Sequence, residues 1–222
     1  MGAAIGQSLP VAVGVLVSPL PIVAVVLMLA SGRARANAFT FLATWFVAVG
    51  AVALVVALVA GAATPDDAGP APWVGVVKIV LGVLLLLLAV RQWRGRPRGD
   101  AEPPTPRWMA AVDAFTPVKA AGLAALLGAV NPKNLLLAVS GGVAISSATT
   151  DTGDQVVAAV VFALVASIGV AAPVAVYVSM GDRAAAILDE LRTWLVRHNP
   201  VIMAVLLLVI GAKMLGDGIS VL

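Results

Sequence analysis

The 222-residue chain has no cysteine, one histidine and one tyrosine, and only 11% of its residues are charged. Without cysteine there is no disulfide scaffold, no thiol nucleophile and no Cys-ligated metal. Soluble domains carry about 25% charged and about 45–50% apolar residues, so the scarcity of charge argues against a water-soluble enzyme, a nucleic-acid binder or a disordered chain. What takes the place of charge is apolar: 61% of residues are hydrophobic and the mean hydropathy is +1.06. A soluble fold cannot hide that much apolar surface, so the composition predicts an all-α integral membrane protein.

A helix needs about 20 apolar residues to cross a hydrocarbon core of about 30 Å. Six stretches meet or approach this length, at about 8–30, 39–61, 73–91, 119–145, 155–180 and 200–219. No Lys or Arg precedes Arg33, so the first is expected to stay as a span rather than to act as a cleaved leader. The span interiors lack Asp, Glu and His, and the only histidine, His198, sits at the edge of the sixth. Proton relays and cation sites in membranes rely on such groups, so no metal site, cofactor or buried catalytic pair is expected, and the chain reads as a non-enzyme.

The connections alternate in charge. Arg33 and Arg35 follow span one, Arg91 to Lys119 separate spans three and four, and Arg183, Arg192 and Arg197 precede span six; together these hold 11 of the 14 basic residues. The other two connections have no Lys or Arg and carry Asp66, Asp67, Asp151 and Asp154. By the positive-inside rule, both termini face outward and the Arg-rich loops face the cytoplasm. The expected domains are a three-helix unit over 1–95, a cytoplasmic Arg/Pro-rich linker over 96–118, and a second three-helix unit over 119–222. Within the second unit, apolar residues at helical spacing over 183–197 predict a separate amphipathic helix on the inner membrane face.

The first span of each half holds helix-breaking residues near its middle: Ser18-Pro19-Leu20-Pro21 in span one and Asn131-Pro132-Lys133-Asn134 in span four. A shift of 113 residues places Pro19 on Pro132 and carries span two close to span five; span three needs a longer offset because of the amphipathic insertion. Three spans per unit is an odd number, so the second copy enters from the opposite side, giving an inverted-topology repeat. Pro19, Pro21 and Pro132 each remove a backbone donor and free a carbonyl four residues back. Those carbonyls must face protein or water, and the helix N-termini that follow the breaks converge from opposite leaflets, a geometry suited to an anion.

Three lysines lie outside the Arg-rich loops. Lys133 falls at the break, where a charged centre costs about 2.5–3.5 kcal/mol unless it faces an interior or aqueous setting. Lys78 and Lys213 lie toward the outer ends of spans three and six, where each can snorkel to the interface or form an outer basic waystation. Lys133 with Asn131, Asn134, Ser18 and Ser140 offers donors to a phosphate, sulfate or carboxylate. Small residues such as Gly141, Gly142 and Ala144 permit close helix packing, within the chain or across a homodimer.

At these residues the chain resembles the LysE transporter superfamily, through Pro19-Leu20-Pro21 and Asn131-Pro132-Lys133. The fuller strings Ser18-Pro19-Leu20-Pro21-Ile22 and Asn131-Pro132-Lys133-Asn134-Leu135-Leu136-Leu137 are most similar to its GAP family, described as peptidoglycolipid- or sulfolipid-addressing proteins of actinobacteria. The resemblance implies a transporter or flippase of the bacterial plasma membrane, with an anionic lipid or glycolipid as substrate, membrane lipids as surroundings and no nucleic acid as partner. Lys133, Asn131, Asn134 and Ser18 are the expected head-group residues, with Lys78 and Lys213 further out. Two other readings remain open: an exporter of a small polar solute, and a non-transporting membrane scaffold.

Overall fold

The computed structural model describes residues 1–63, 72–95 and 114–222, and every element among them is helical. The order is α1 (Gly2–Leu16), α2 (Pro19–Leu29), α3 (Ala34–Ala62), α4 (Pro72–Arg94), α5 (Pro117–Ala125), a π-helical turn (Leu126–Val130), α6 (Pro132–Ser146), α7 (Thr152–Met180), a short 3₁₀ turn and α8 (Ala184–Ile219). The expected linker falls largely on 96–113, and the expected outward-facing connection between α3 and α4 on 64–71; both of these ranges lie outside the described residues. Four helices, α3, α4, α7 and α8, are each long and apolar enough to cross a membrane. Two bent pairs, α1 with α2 and α5 with α6, have bends of 53° and 61°, and the candidate spans number up to six where each pair counts as one span.

Both bends fall where the prolines predict. Pro19 and Pro132 each occupy the first turn of the helix after the break, where a missing N–H costs nothing and the fixed φ suits the helix. The second break has a feature the sequence reading did not contain: the α5 helix winds into a π turn before it stops, and Asn131 N–H donates to the Leu126 carbonyl at 2.7 Å. Asp151 caps α7 by accepting from Asp154 N–H at 2.7 Å. The α7 helix ends at Gly181, whose φ of 56° is the only positive value among the described residues.

One expectation needs correction. The stretch over 183–197 is not a separate helix; it is the beginning of α8, which runs unbroken through Pro200 for 36 residues. The reason is register. The buried face of the amphipathic stretch, Leu188 and Leu195, continues into Met203, Leu207, Ile210 and Met214, so one stripe serves both parts. At about 1.5 Å per residue α8 is about 54 Å long, well beyond a hydrocarbon core of about 30 Å.

The buried stripe of α3 is Phe41, Trp45, Val49, Ala53 and Ala57, one residue per turn, while Val47, Val55 and Val59 on other faces are exposed. The Trp45 indole N–H donates to the Ala166 carbonyl of α7 at 3.4 Å. Further pairs are α1 with α7 and α6, α5 with α3, α2 with α8 and α6 with α4. The Arg-bearing ends gather at one end of the bundle: α2, α7 and α8 meet around Ala30, Gly181 and Arg192, and Asn37 at the start of α3 donates to the Phe115 carbonyl before α5 at 3.0 Å.

The most extensive pairing is α4 against α8, and glycine makes it possible. A side-chain carbon on Gly75 would stand 2.9 Å from the Gly218 carbonyl oxygen, and one on Gly82 2.9 Å from that of Gly211. Gly75 opposes Gly218 and Gly82 opposes Gly211, so the helices are antiparallel and touch every seven residues. Gly141 and Gly142 are used in the same way inside the chain, against Phe162 and Ala53. A valine at Gly211 must push the backbones apart, which costs about 1–3 kcal/mol. Gly211→Val is therefore expected to lower the melting temperature in detergent, whereas Gly216→Val, with open space around it, should leave it within error.

Candidate functional site

The two breaks meet. Ser18 is the N-cap of α2, yet its hydroxyl does not cap that helix. It donates to Asn134 Oδ1 at 2.8 Å across 116 residues of sequence, and Asn134 Nδ2 donates to the Leu127 carbonyl at 2.8 Å. Asn134, 2% exposed, thus stitches the two halves together and satisfies a carbonyl of the π turn. Of the carbonyls expected to be freed by proline, that of Val15 accepts from Ser18 N–H at 3.1 Å. The Leu16 carbonyl, which no proline frees, packs so closely on Gly169 of α7 that a side-chain carbon on that glycine would lie 2.1 Å from its oxygen.

Lys133 is the second residue of α6. Its backbone N–H donates to Asn131 Oδ1, the cap of the helix, at 3.1 Å. Its Nζ donates to Ser18 Oγ at 2.5 Å and to the Met203 thioether at 3.0 Å. Both acceptors are neutral, and among the described residues no carboxylate lies within ion-pair distance of this ammonium. Ser18, Asn131, Lys133 and Asn134 border a cleft of about 60 Å³. Pro19 and Pro21 form another wall, and each removes a donor from the α2 N-terminus, so the basic group of the cleft is the Lys133 amine.

Three lining residues, Gln92 of α4 with Asn199 and Met203 of α8, were not anticipated. Gln92 and Asn199 lie beside Arg91 and Pro200 at the ends of apolar runs, where a polar residue reads as interfacial; nothing in the sequence shows that α4 and α8 bring them to the break. The cleft therefore extends toward the Arg-bearing end of the bundle. Ser140 stands apart from it, its hydroxyl donating to the Leu136 carbonyl of its own helix at 2.7 Å.

Lys78 and Lys213 are not part of this cleft. Lys78 lies 14 residues, or about 21 Å along α4, from Gln92. It is 5% exposed and within electrostatic reach of Asp217 and Lys213, and Lys213 pairs with Asp217 at 2.5 Å. Lys213 and Asp217 are each more than a third exposed, so the pair contributes little by itself. Against the expectation of snorkelling, Lys78 is buried near this pair; the glycine contacts at Gly75 and Gly82 draw the flanking backbones over it.

These features define a multi-pass helical membrane protein with two broken helices whose N-termini meet at a lysine. The chain belongs to the family of Sap, the sulfolipid-1-addressing protein, whose model matches residues 9–220. No curated protein and no solved structure gives a significant match.

If the Ser18–Asn134–Leu127 clasp holds the breaks together, Asn134→Ala leaves the Leu127 carbonyl without this partner, at a cost of about 1–3 kcal/mol. A lower melting temperature in detergent is the expected result, with a smaller drop for Asn131→Ala, which removes one exposed-side cap. Equal melting of Asn134→Ala and wild type would show that the clasp carries no stability.

Proposed function

We propose that the protein is a transporter or flippase for an anionic lipid or glycolipid, whose head group is held at the Lys133 cleft. The observation that carries this reading is the Lys133 amine itself: it lies at the meeting of the two broken helices, its hydrogen-bond partners among the described residues are a hydroxyl and a thioether, and it can donate to an oxyanion. Asn131, whose Oδ1 is engaged in capping, has its amide Nδ2 left to orient the head group, and Ser18 and Asn134 hold the lysine in place. The family description names a sulfolipid, and an anionic lipid of that kind is what donors such as Lys133 and Asn131 would recognise.

The transport half of the proposal rests on an inverted repeat of six spans in the bacterial inner membrane, with both termini outside. A shift of 113 residues places Ser18 and Pro19, cap and first residue of α2, on Asn131 and Pro132, cap and first residue of α6. A shift of 136 places Gly75 and Gly82 on Gly211 and Gly218, the glycines that face each other across the α4–α8 pair. The pairing of helices follows the same exchange: α1 packs on α7 as α5 packs on α3, and α2 on α8 as α6 on α4. Two related halves around one site provide the means to expose it alternately to either side. Lys78 and Lys213, with one carboxylate between two ammonium groups, would then form a second basic station near the outer surface.

Native mass spectrometry of the purified protein tests the head-group assignment. Loss of a charge-assisted contact worth about 1.5–3 kcal/mol should reduce co-purified anionic lipid roughly ten- to hundredfold in Lys133→Ala, with partial recovery in Lys133→Arg. An unchanged lipid complement in Lys133→Ala would remove the lipid reading and leave export of a small polar solute as the better account.

A further inference from the structure

The polar groups around the Lys133 cleft fall into two sets. One set is spent on the fold: Ser18 and Asn134 are bonded to each other, and Asn131 Oδ1 caps α6. The other set has no hydrogen-bond partner among the described residues. It comprises Asn131 Nδ2 and the whole carboxamides of Gln92 on α4 and Asn199 on α8, both partly buried where they line the cleft.

The sequence around these two carboxamides makes their placement informative. Gln92 stands within Arg91-Gln92-Trp93-Arg94, and Asn199 follows Arg197-His198. Each helix thus brings a basic stretch to the cleft and lines it with the neutral carboxamide rather than with an arginine. Among the described residues that line it, Lys133 is the only basic one and none is acidic. A carboxamide N–H donates to an oxyanion without adding charge, so the cleft can surround several oxygens while answering at most one negative charge. A sulfate ester or a phosphodiester carries one charge, whereas a phosphomonoester carries about 1.5–2 near neutral pH. The second charge of a phosphomonoester would stand here without a counter-charge and partly stripped of water, which is costly.

We propose that Gln92 and Asn199 complete the head-group site as charge-neutral donors and set its selectivity: the cleft accepts a singly charged oxyanion ester and discriminates against a phosphomonoester. The proposal rests on the head-group reading above and adds to it the charge class of the ligand and two contact residues from the α4–α8 pair.

The test is a competition read by native mass spectrometry at pH 8. Full-length protein is extracted from vesicles holding equal amounts of phosphatidylglycerol, a phosphodiester, and phosphatidic acid, a phosphomonoester, with the same acyl chains. Wild type should retain phosphatidylglycerol about tenfold over phosphatidic acid. Gln92→Lys and Asn199→Lys each bring a second basic group to the cleft and should erase or reverse that preference. Gly95→Lys adds the same charge at the exposed end of α4 and should keep it. Gln92→Leu and Asn199→Leu remove the carboxamides at similar size; total retention should fall about tenfold in each, with the preference unchanged. Melting in detergent confirms that the variants fold. Equal retention of the two lipids by wild type, or the wild-type preference in both lysine variants, would overturn the charge class, and full retention in both leucine variants would remove Gln92 and Asn199 as ligand contacts. The head-group reading fails on a different result, an undiminished lipid complement in Lys133→Ala.

Discussion

The rest of this structure depends on how two interrupted helices satisfy their backbone groups where water is scarce. Inside a bilayer an unpaired carbonyl or N–H costs several kcal/mol, so a proline break is tolerated only where other parts of the protein answer it. Here Ser18 N–H turns back to the Val15 carbonyl, Asn131 N–H closes the π turn onto Leu126, and the Asn134 amide takes the Leu127 carbonyl. Each repair uses a residue of the break motif itself. The Ser18–Asn134 bond then joins the two breaks, and the join brings Lys133 to the α2 N-terminus.

The polar residues of the motifs consequently divide their work. Asn134 is engaged at both ends of its amide and acts on the fold, and Asn131 spends its oxygen on capping α6. Lys133 directs its side-chain amine at neutral partners, the Ser18 hydroxyl and the Met203 thioether. A basic group is costly to place in a membrane, and on the reading proposed above an anionic head group answers it.

The α4–α8 pair sets the dimensions around that site. Water does not drive helices together within lipid, so close backbone approach and dispersion contacts must do so, and the opposed glycines supply both. The same seven-residue step that brings Gly75 and Gly82 onto Gly218 and Gly211 passes through alanine at positions 89 and 204, where the contact loosens. Tight packing thus buries Lys78 at one end of the pair, and looser packing leaves the cleft beside it at the Arg-bearing end.

Much of this was legible in the sequence. Composition determined the membrane setting, apolar run length the approximate positions of the candidate spans, and Pro19, Pro21 and Pro132 the breaks, because each of these follows from local chemistry. The shared spacing of the two break motifs also pointed to Ser18, Asn131, Lys133 and Asn134 as neighbours. Only the tertiary structure decided that Gln92, Asn199 and Met203 complete the cleft, that Lys78 is buried, that Asn134 clasps rather than merely lines, and that the 183–197 stretch continues into α8. The reason is that lipid makes every face of a spanning helix apolar: the periodicity that reveals a buried face in water is nearly erased, and which side of α3, α4 or α8 turns inward is fixed by packing alone.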